Sequence, residues 1–126
     1  WAQSFKSHPE QKNSAIAGSI FNVERLGKKN GSILQGFGGV LVRKKYFKIQ
    51  DFRIPKPYHW VDDIWISTCL EKNKIPIVEN RDAKHLIKNS YQDQYGLQNT
   101  TFSKKNRAEL NQIAVNYSSE NFKIWT

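Results

Sequence analysis

The sequence predicts an α/β fold, a mixed sheet with flanking helices. Short apolar runs with the character of strands alternate with longer segments that have one apolar face, which is the pattern of layered α/β domains. Hydrophobic residues make up 38% of the chain and aromatic residues 13%, enough to bury a core. The 126 residues suit one small domain or part of a larger one. The predicted order of elements is strand, strand, helix, helix, strand, helix and strand.

The first half of the chain is predicted to form mostly strands and turns. Residues 1–7 are expected to be the end of a helix, and residues 15–23 and 33–37 to be strands. The polar sequence at residues 27–31 begins and ends with glycine, which favours a turn that joins the two strands. Residues 40–47 are predicted to form a short helix, although their β-branched residues also permit a strand.

The second half contains the clearest helix, at residues 61–73. Its apolar residues fall on one helical face: Val61, Ile64, Trp65, Thr68, Cys69 and Leu70. A second helix is predicted at residues 105–117, and strands at residues 75–79 and 122–125. These few strands would make a thin sheet, and the chain begins at Trp1 and contains no methionine. We therefore expect a fragment, a processed product or the ordered part of a longer protein.

The chain is strongly basic, with a formal net charge of +9. Such a charge attracts nucleic acid, anionic lipid and nucleotide diphosphates alike. The Lys and Arg residues form small scattered clusters, which is also typical of a solvated surface. Cys69 is the only cysteine, so an internal disulfide is excluded, and no apolar stretch is long enough to span a membrane. We expect a protein of the cytoplasm or of the cytoplasmic face of a membrane.

The residues with the most evident chemistry are Asp62 and Asp63, which open the helix at residues 61–73 between Trp60 and Trp65. Two adjacent carboxylates repel each other, which can raise the pKa of one of them toward a value useful for proton transfer. The positive end of the helix dipole acts in the opposite direction. The sequence leaves open which effect prevails. A purely structural role, with Asp62 as the N-cap and Asp63 as a dipole partner, is the alternative.

The acidic pair belongs to an ordered set of motifs. In chain order these are Gly-Phe-Gly-Gly-Val-Leu at residues 36–41 with Arg43 and Phe47, Val-Asp-Asp-Ile-Trp-Ile-Ser at residues 61–67 with Leu70, and Lys-Ile-Pro-Ile at residues 74–77. The set resembles the C-terminal half of GT-A glycosyltransferases related to family 2, over residues 15–79, about half of the chain. The resemblance implies a partial GT-A fold, with residues 1–126 as a single domain or a fragment that corresponds to the acceptor-side half.

The resemblance also implies an activity, the transfer of a sugar with inversion from a nucleotide-sugar donor to a hydroxyl of a glycan or lipid-linked acceptor. In that family the acidic pair supplies the base that takes the proton of the acceptor hydroxyl. Asp63 matches the base position best, with Asp62 beside it. A divalent metal, Mg²⁺ or Mn²⁺, is implied as cofactor. The Asp-x-Asp element that holds metal and diphosphate in the family does not occur in this sequence.

Further site residues follow from the same resemblance, and each has a plain structural alternative. They are Trp60, His59 and Trp65 for the acceptor, Gly38, Gly39 and Arg43 for the donor phosphates, and His85 for the metal. The alternatives are packing in the core for the tryptophans, a tight turn for the glycines and a solvated surface for the arginine.

Two other classes of function stay open. A basic module that binds nucleic acid fits the net charge and the many aromatic residues, which stack on bases in such proteins. The sequence contains no ribonucleoprotein motif, no helix-turn-helix pattern and no zinc-ligand spacing, so it gives no clear nucleic-acid partner. The third possibility is a non-catalytic interaction domain that retains the fold without the activity.

Overall fold

The computed structural model describes residues 2–86 and 100–126, apart from the side chains of residues 84–86. The helices are α1 (Ala2–Lys6), α2 (Asp62–Lys72) and α3 (Arg107–Phe122). The strands are β1 (Ala15–Ala17), β2 (Ile20–Asn22), β3 (Ser32–Leu34), β4 (Val40–Leu41) and β5 (Ile77–Glu79). A single 3₁₀ turn precedes each of β1, β3 and β4, and the connection from β4 to α2 contains three such turns. The predicted helix at residues 61–73 is thus confirmed, with an end that differs by one residue at each side.

The strands form two small sheets. β1 is the central strand of the first sheet, antiparallel to β4, with Ile16 opposite Leu41, and parallel to β5, with Ile16 opposite Val78. The parallel pair requires a crossover connection, which contains α2. β2 and β3 form a separate antiparallel hairpin. The chain is a mixed α/β domain with a three-stranded mixed sheet, as the sequence predicts at the level of fold class.

The strand predicted at residues 15–23 is divided into β1 and β2 at Gly18. The backbone of Gly18 crosses the backbone of Gly38, and a Cβ built on Gly18 would overlap the Gly38 carbonyl oxygen. Only glycine permits so close an approach of two chains. Beyond the crossing, the Ser19 hydroxyl donates a hydrogen bond to the Gln35 side chain over 2.7 Å. The crossing therefore places the loop after β3 directly against the start of β2.

Two predicted elements are wrong. Residues 40–47 form no helix, because β4 pairs with β1 at Val40–Leu41 and one 3₁₀ turn follows at Lys44–Tyr46. Residues 122–125 form no strand, because α3 continues to Phe122. The chain then turns at Lys123, which has a φ of 57°, and carries Trp125 into the core. Where apolar residues are compatible with both helix and strand, their tertiary contacts decide which of the two forms.

The apolar face of α2 packs against β3 on one side and α3 on the other. The rings of Tyr58 and Trp65 lie 4.8 Å apart between their centroids in this core. The Tyr58 hydroxyl is hydrogen-bonded to Ser118 over 2.8 Å, and Ser118 is hydrogen-bonded to Thr68 over 2.8 Å. Since these buried hydroxyls satisfy one another, they join α2 and α3 without an unpaired polar group among them.

Candidate active site

The acidic pair forms the first turn of α2. Asp62 and Asp63 are its first two residues, and Val61 is the N-cap, whose side chain makes no capping hydrogen bond. The alternative in which Asp62 caps the helix is therefore wrong. Asp62 is exposed and Asp63 is half-buried. The two carboxyl groups, although adjacent in sequence, have different environments, which is the condition under which two acids acquire different roles.

Asp63 is held by the loop that follows β3. Its Oδ2 accepts a hydrogen bond from the Gly36 N–H over 3.0 Å, and a Cβ on Gly36 would lie only 2.9 Å from Oδ1. One turn along α2, the Ser67 hydroxyl accepts from the Leu34 N–H over 3.1 Å and donates to the Asp63 carbonyl over 2.7 Å. These bonds fix the end of β3 to the first turn of α2 and so orient the carboxylate of Asp63.

The pKa of Asp63 is raised above its ordinary value of 3.8. Burial is the largest cause, and the negative charge of Asp62 acts in the same direction. The hydrogen bond from Gly36 and the positive charge of Arg107 lower the pKa but do not outweigh these effects. The sequence leaves open whether the pKa of Asp63 is raised or lowered, and in the structure it is raised. A carboxylate of higher pKa is a stronger base when it is ionised.

A cavity of about 500 Å³ opens beside the acidic pair. Its polar side contains Gly36, Asp62 and Asp63, with the buried Asp51 deeper in the wall. The other walls are apolar and consist of Leu34, Val40, Val42, Phe47, Phe52, Ile54, Trp65, Ile66 and Cys69. A mostly apolar cavity of this size with a few convergent polar groups is typical of a small-molecule site.

The environment of the single cysteine favours packing over nucleophilic chemistry. Cys69 is buried, and burial raises the pKa of its thiol to about 12. Nucleophilic cysteines need a lowered pKa, because the thiolate is the reactive form. Cys69 therefore contributes packing.

Of the aromatic residues expected at the acceptor, only Trp65 reaches the cavity. Trp65 is buried, forms part of the cavity wall, and donates its indole N–H to the Asp51 carbonyl over 2.8 Å. Trp60 lies outside the wall and stacks on Phe102, with ring centroids 4.5 Å apart and an angle of 11° between the planes. Trp60 is still 48% exposed, so part of its ring is free to meet a sugar.

His59, the third residue expected at the acceptor, is also outside the cavity wall. It is exposed, and its Nε2 lies 3.1 Å from the Ile54 carbonyl oxygen. Ile54 in turn lines the cavity. The structure therefore gives His59 a local contact with the rim and none with the acidic pair.

The residues expected at the donor phosphates have structural partners instead. Gly38 is buried against the link between β1 and β2, where a Cβ would lie 2.7 Å from the Ser19 backbone nitrogen, and Gly39 has a φ of 82° that suits glycine. Arg43 donates from Nε and Nη2 to Gln11 over 3.1 Å and 2.9 Å. None of the three lines the cavity, whereas Gly36, in the same glycine-rich motif, does.

The residues described do not form a metal site on their own. Within residues 2–86 and 100–126, no three His, Cys, Asp or Glu side chains of those described come together in a way that would hold an ion. The side chain of His85, the ligand expected from the sequence, lies outside the described part of the chain.

Arg107 is a neighbour of the site that the sequence did not indicate. It is the first residue of α3, its Nη1 donates to the Trp60 carbonyl, and its positive charge lowers the pKa of Asp63. The signal that could have located it is the Asn-x-x-Glu sequence of Asn106 and Glu109. These residues form a capping box that fixes the start of α3, with bonds of 2.9 Å and 3.0 Å.

Comparisons with protein-family models, with curated proteins and with solved structures found no match to this chain. In the described part of the chain, the helices are all too short or too polar to cross a lipid bilayer.

Proposed function

We propose that this protein transfers a sugar from a nucleotide-sugar donor to an acceptor hydroxyl, with Asp63 as the general base. The observation that carries the proposal is the position of Asp63, a half-buried carboxylate of raised pKa that faces a cavity of about 500 Å³. The ordered motifs of the sequence support a partial GT-A fold with inversion at the sugar. The same resemblance implies a Mg²⁺ or Mn²⁺ ion as cofactor.

The reaction that this geometry supports is a single displacement. The acceptor oxygen attacks the anomeric carbon of the donor sugar and forms the new C–O bond. The bond from that carbon to the diphosphate breaks with its electron pair, so the nucleotide diphosphate leaves. The proton of the acceptor hydroxyl passes to Asp63. The hydrogen bond from Gly36 leaves the other oxygen of that carboxylate available for the proton, since it engages Oδ2.

The walls of the cavity indicate what kind of acceptor it fits. Around the acidic pair they are apolar, from Leu34 and Trp65 to Phe52 and Ile54. A free sugar presents hydroxyls on most of its surface, and burying those without partners is unfavourable. The cavity favours an acceptor that carries an apolar group close to the reacting hydroxyl. A lipid-linked acceptor fits this requirement better than a free glycan does.

The test is Asp63→Asn in the intact protein, assayed with a panel of nucleotide sugars and with lipid-linked and glycan acceptors. We expect transfer to fall by about 10²- to 10⁴-fold, the usual contribution of a general base, while acceptor binding survives. Asp62→Asn is the matched control, since it removes the same charge from an exposed neighbour and should cost much less. Undiminished turnover in Asp63→Asn would exclude Asp63 as the base. Binding of oligonucleotides with a steep salt dependence, without any transfer, would favour the nucleic-acid module instead.

A further inference from the structure

Residues 42–56 expose several large apolar side chains at the rim of the cavity. Ile49 is 87% exposed and Phe52 is 69% exposed, and Val42 and Ile54 are exposed to a smaller extent, at 38% and 46%. Exposed apolar residues that occur singly are ordinary on protein surfaces, but contiguous ones mark a binding surface. We call residues 42–56 the rim segment.

The rim segment also concentrates positive charge. Its cations are Arg43, Lys44, Lys45, Lys48, Arg53 and Lys56. Its only acid is Asp51, which is 4% exposed and is hydrogen-bonded to the Lys48 N–H, to Asn73 and to Lys72. Among the residues that the structure describes, none of the six cations has an ion-pair partner. All six cations are exposed to solvent, and in the described part of the chain only Arg43 among them has the side-chain hydrogen bonds given above, to Gln11.

Four lysines belong to the wall of a second cavity beside this segment. This cavity of about 370 Å³ is lined by Lys45 and Lys48 from the rim segment and by Lys72 and Lys74 from the end of α2 and the turn after it. Lys72 is partly neutralised by Asp51, at 3.4 Å, which leaves three unpaired ammonium groups in the described surroundings. Such a cavity is suited to a phosphate group, because ammonium groups bind phosphate as point charges.

The geometry points to a surface that binds an anionic lipid bilayer. Cations near a bilayer are attracted to anionic headgroups, and apolar side chains among them enter the boundary between headgroups and acyl chains. Ile49, the most exposed large apolar side chain among the described residues, is aliphatic and cannot stack on a nucleic-acid base, whereas it can insert into lipid. The four-lysine cavity takes a lipid phosphate. This binding does not rest on the sugar-transfer proposal, although Val42, Phe52 and Ile54 belong to both surfaces.

The segment is firm enough to present these groups together. Its two 3₁₀ turns, at Lys44–Tyr46 and Ile49–Phe52, are tied to the body of the domain. The Tyr46 hydroxyl donates to the Lys12 carbonyl over 3.1 Å, and Asp51 bonds to α2 as described. Binding therefore requires little ordering of the rim segment.

The test is sedimentation of the protein with vesicles of equimolar phosphatidylserine and phosphatidylcholine, against vesicles of phosphatidylcholine alone. We expect binding to the anionic vesicles, weakened by salt. The triple variant Lys44→Gln, Lys45→Gln, Lys48→Gln should bind about a hundredfold more weakly, since each cation near the surface contributes about fivefold. Ile49→Ser should lose about tenfold through the missing insertion.

Each control variant removes the same charge or the same apolar side chain as the rim-segment variant to which it is matched. The triple variant Lys6→Gln, Lys29→Gln, Lys104→Gln removes the same charge from exposed positions elsewhere, and Ile113→Ser removes an isolated exposed isoleucine. Both controls should bind within about threefold of the unchanged protein. All variants should keep the same thermal midpoint, because every substituted residue is exposed.

Several results would overturn the inference. These are failure of the unchanged protein to bind anionic vesicles, equal loss in the control triple variant, and unchanged binding in Ile49→Ser. Inorganic phosphate tested alone separates the two sources of anion: if phosphate binds at the four lysines while vesicles do not, the surface is a phosphate site and the membrane assignment is wrong. Tight binding of an oligonucleotide that the rim triple variant abolishes, with no vesicle binding, would assign the surface to nucleic acid.

Discussion

Gly36→Ala is the change that tests most directly how Asp63 is held. Gly36 donates its N–H to Oδ2 of Asp63 over 3.0 Å, and an added Cβ would lie 2.9 Å from Oδ1. This distance is about half an ångström short of ordinary van der Waals contact. Gly36 has no positive φ, so the alanine causes no backbone strain and the carboxylate must move instead.

The size of the effect follows from that displacement. A misplacement of about 1 Å costs roughly 100-fold in rate, so half of it should reduce transfer about tenfold. A hydrogen bond to a charged group contributes about 1.5–3 kcal/mol, and its weakening here is partly offset by the gain of about 0.4–1 kcal/mol for replacing glycine with alanine. We expect a net loss of about 1 kcal/mol in the free energy of unfolding by urea.

The sharpest assay needs no substrate. Carbon-13 NMR of the Asp63 carboxyl measures its pKa directly. Because the Gly36 hydrogen bond lowers that pKa, Gly36→Ala should raise it further, and because the charge of Asp62 raises it, Asp62→Asn should lower it. The two variants therefore shift one titration in opposite directions.

The pH dependence of stability gives a second check on the same residue. An acid whose pKa is raised on folding binds its proton more tightly in the native state, so Asp63 makes stability fall as the pH rises from 3.8 through the folded pKa. Gly36→Ala should extend the fall in stability to higher pH. Its effect on the free energy of unfolding should be smallest below pH 3.8. A pKa of Asp63 that is unchanged in both variants, or lowered by Gly36→Ala, would refute this account of the site.

Three further changes test the rest of the structure. Tyr58→Phe should reduce the free energy of unfolding by about 0.5–1.5 kcal/mol in urea titrations, since it removes one hydrogen bond while the Ser118 hydroxyl keeps its bonds to Thr68 and the Ala114 carbonyl. Asp51→Asn should destabilise by about 1–3 kcal/mol at neutral pH. Burial opposes ionisation of Asp51, but its hydrogen bonds and the nearby lysine charge lower its pKa on balance, so this difference should persist above pH 3.8 and disappear as the pH falls through the folded pKa. Gly18→Ala should cost about 3 kcal/mol or more and leave the protein largely insoluble on expression, because its Cβ would overlap the backbone of Gly38.

The sequence predicts the parts of this protein that depend on local periodicity. The helix α2 has its apolar face repeated over three turns, so its existence and its acidic start could be predicted from residues 61–73 alone. The division of β1 from β2 could not, because it depends on the contact of Gly18 with Gly38, twenty residues away. The glycine that reaches the cavity could not be predicted either, because it too depends on tertiary contacts. The sequence predicts Gly38 and Gly39 as site residues, whereas in the structure Gly36 lines the cavity.

The position of Arg107 illustrates a second limit. It begins α3, forty-four residues after Asp63, and reaches the site because α3 packs on α2 through the apolar core and the Tyr58, Thr68 and Ser118 hydroxyls. A charge contributed by a distant helix has no local pattern beyond the capping box that starts that helix. Tertiary packing, and not the spacing of the motif, therefore sets the electrostatic environment of the acidic pair.

Hydrogen bonds to both the backbone and the side chain of Asp63 explain why its carboxylate has a defined direction. Its backbone carbonyl accepts from Ser67, which also binds the Leu34 N–H, and its side chain accepts from Gly36. Leu34 is the last residue of β3 and Gly36 lies two residues beyond it, so a movement of β3 relative to α2 would displace the backbone and the side chain of Asp63 together. The orientation of the proposed base is thus a property of the packing between one strand and one helix. Substitutions that shift that packing should reduce transfer even where they touch no substrate.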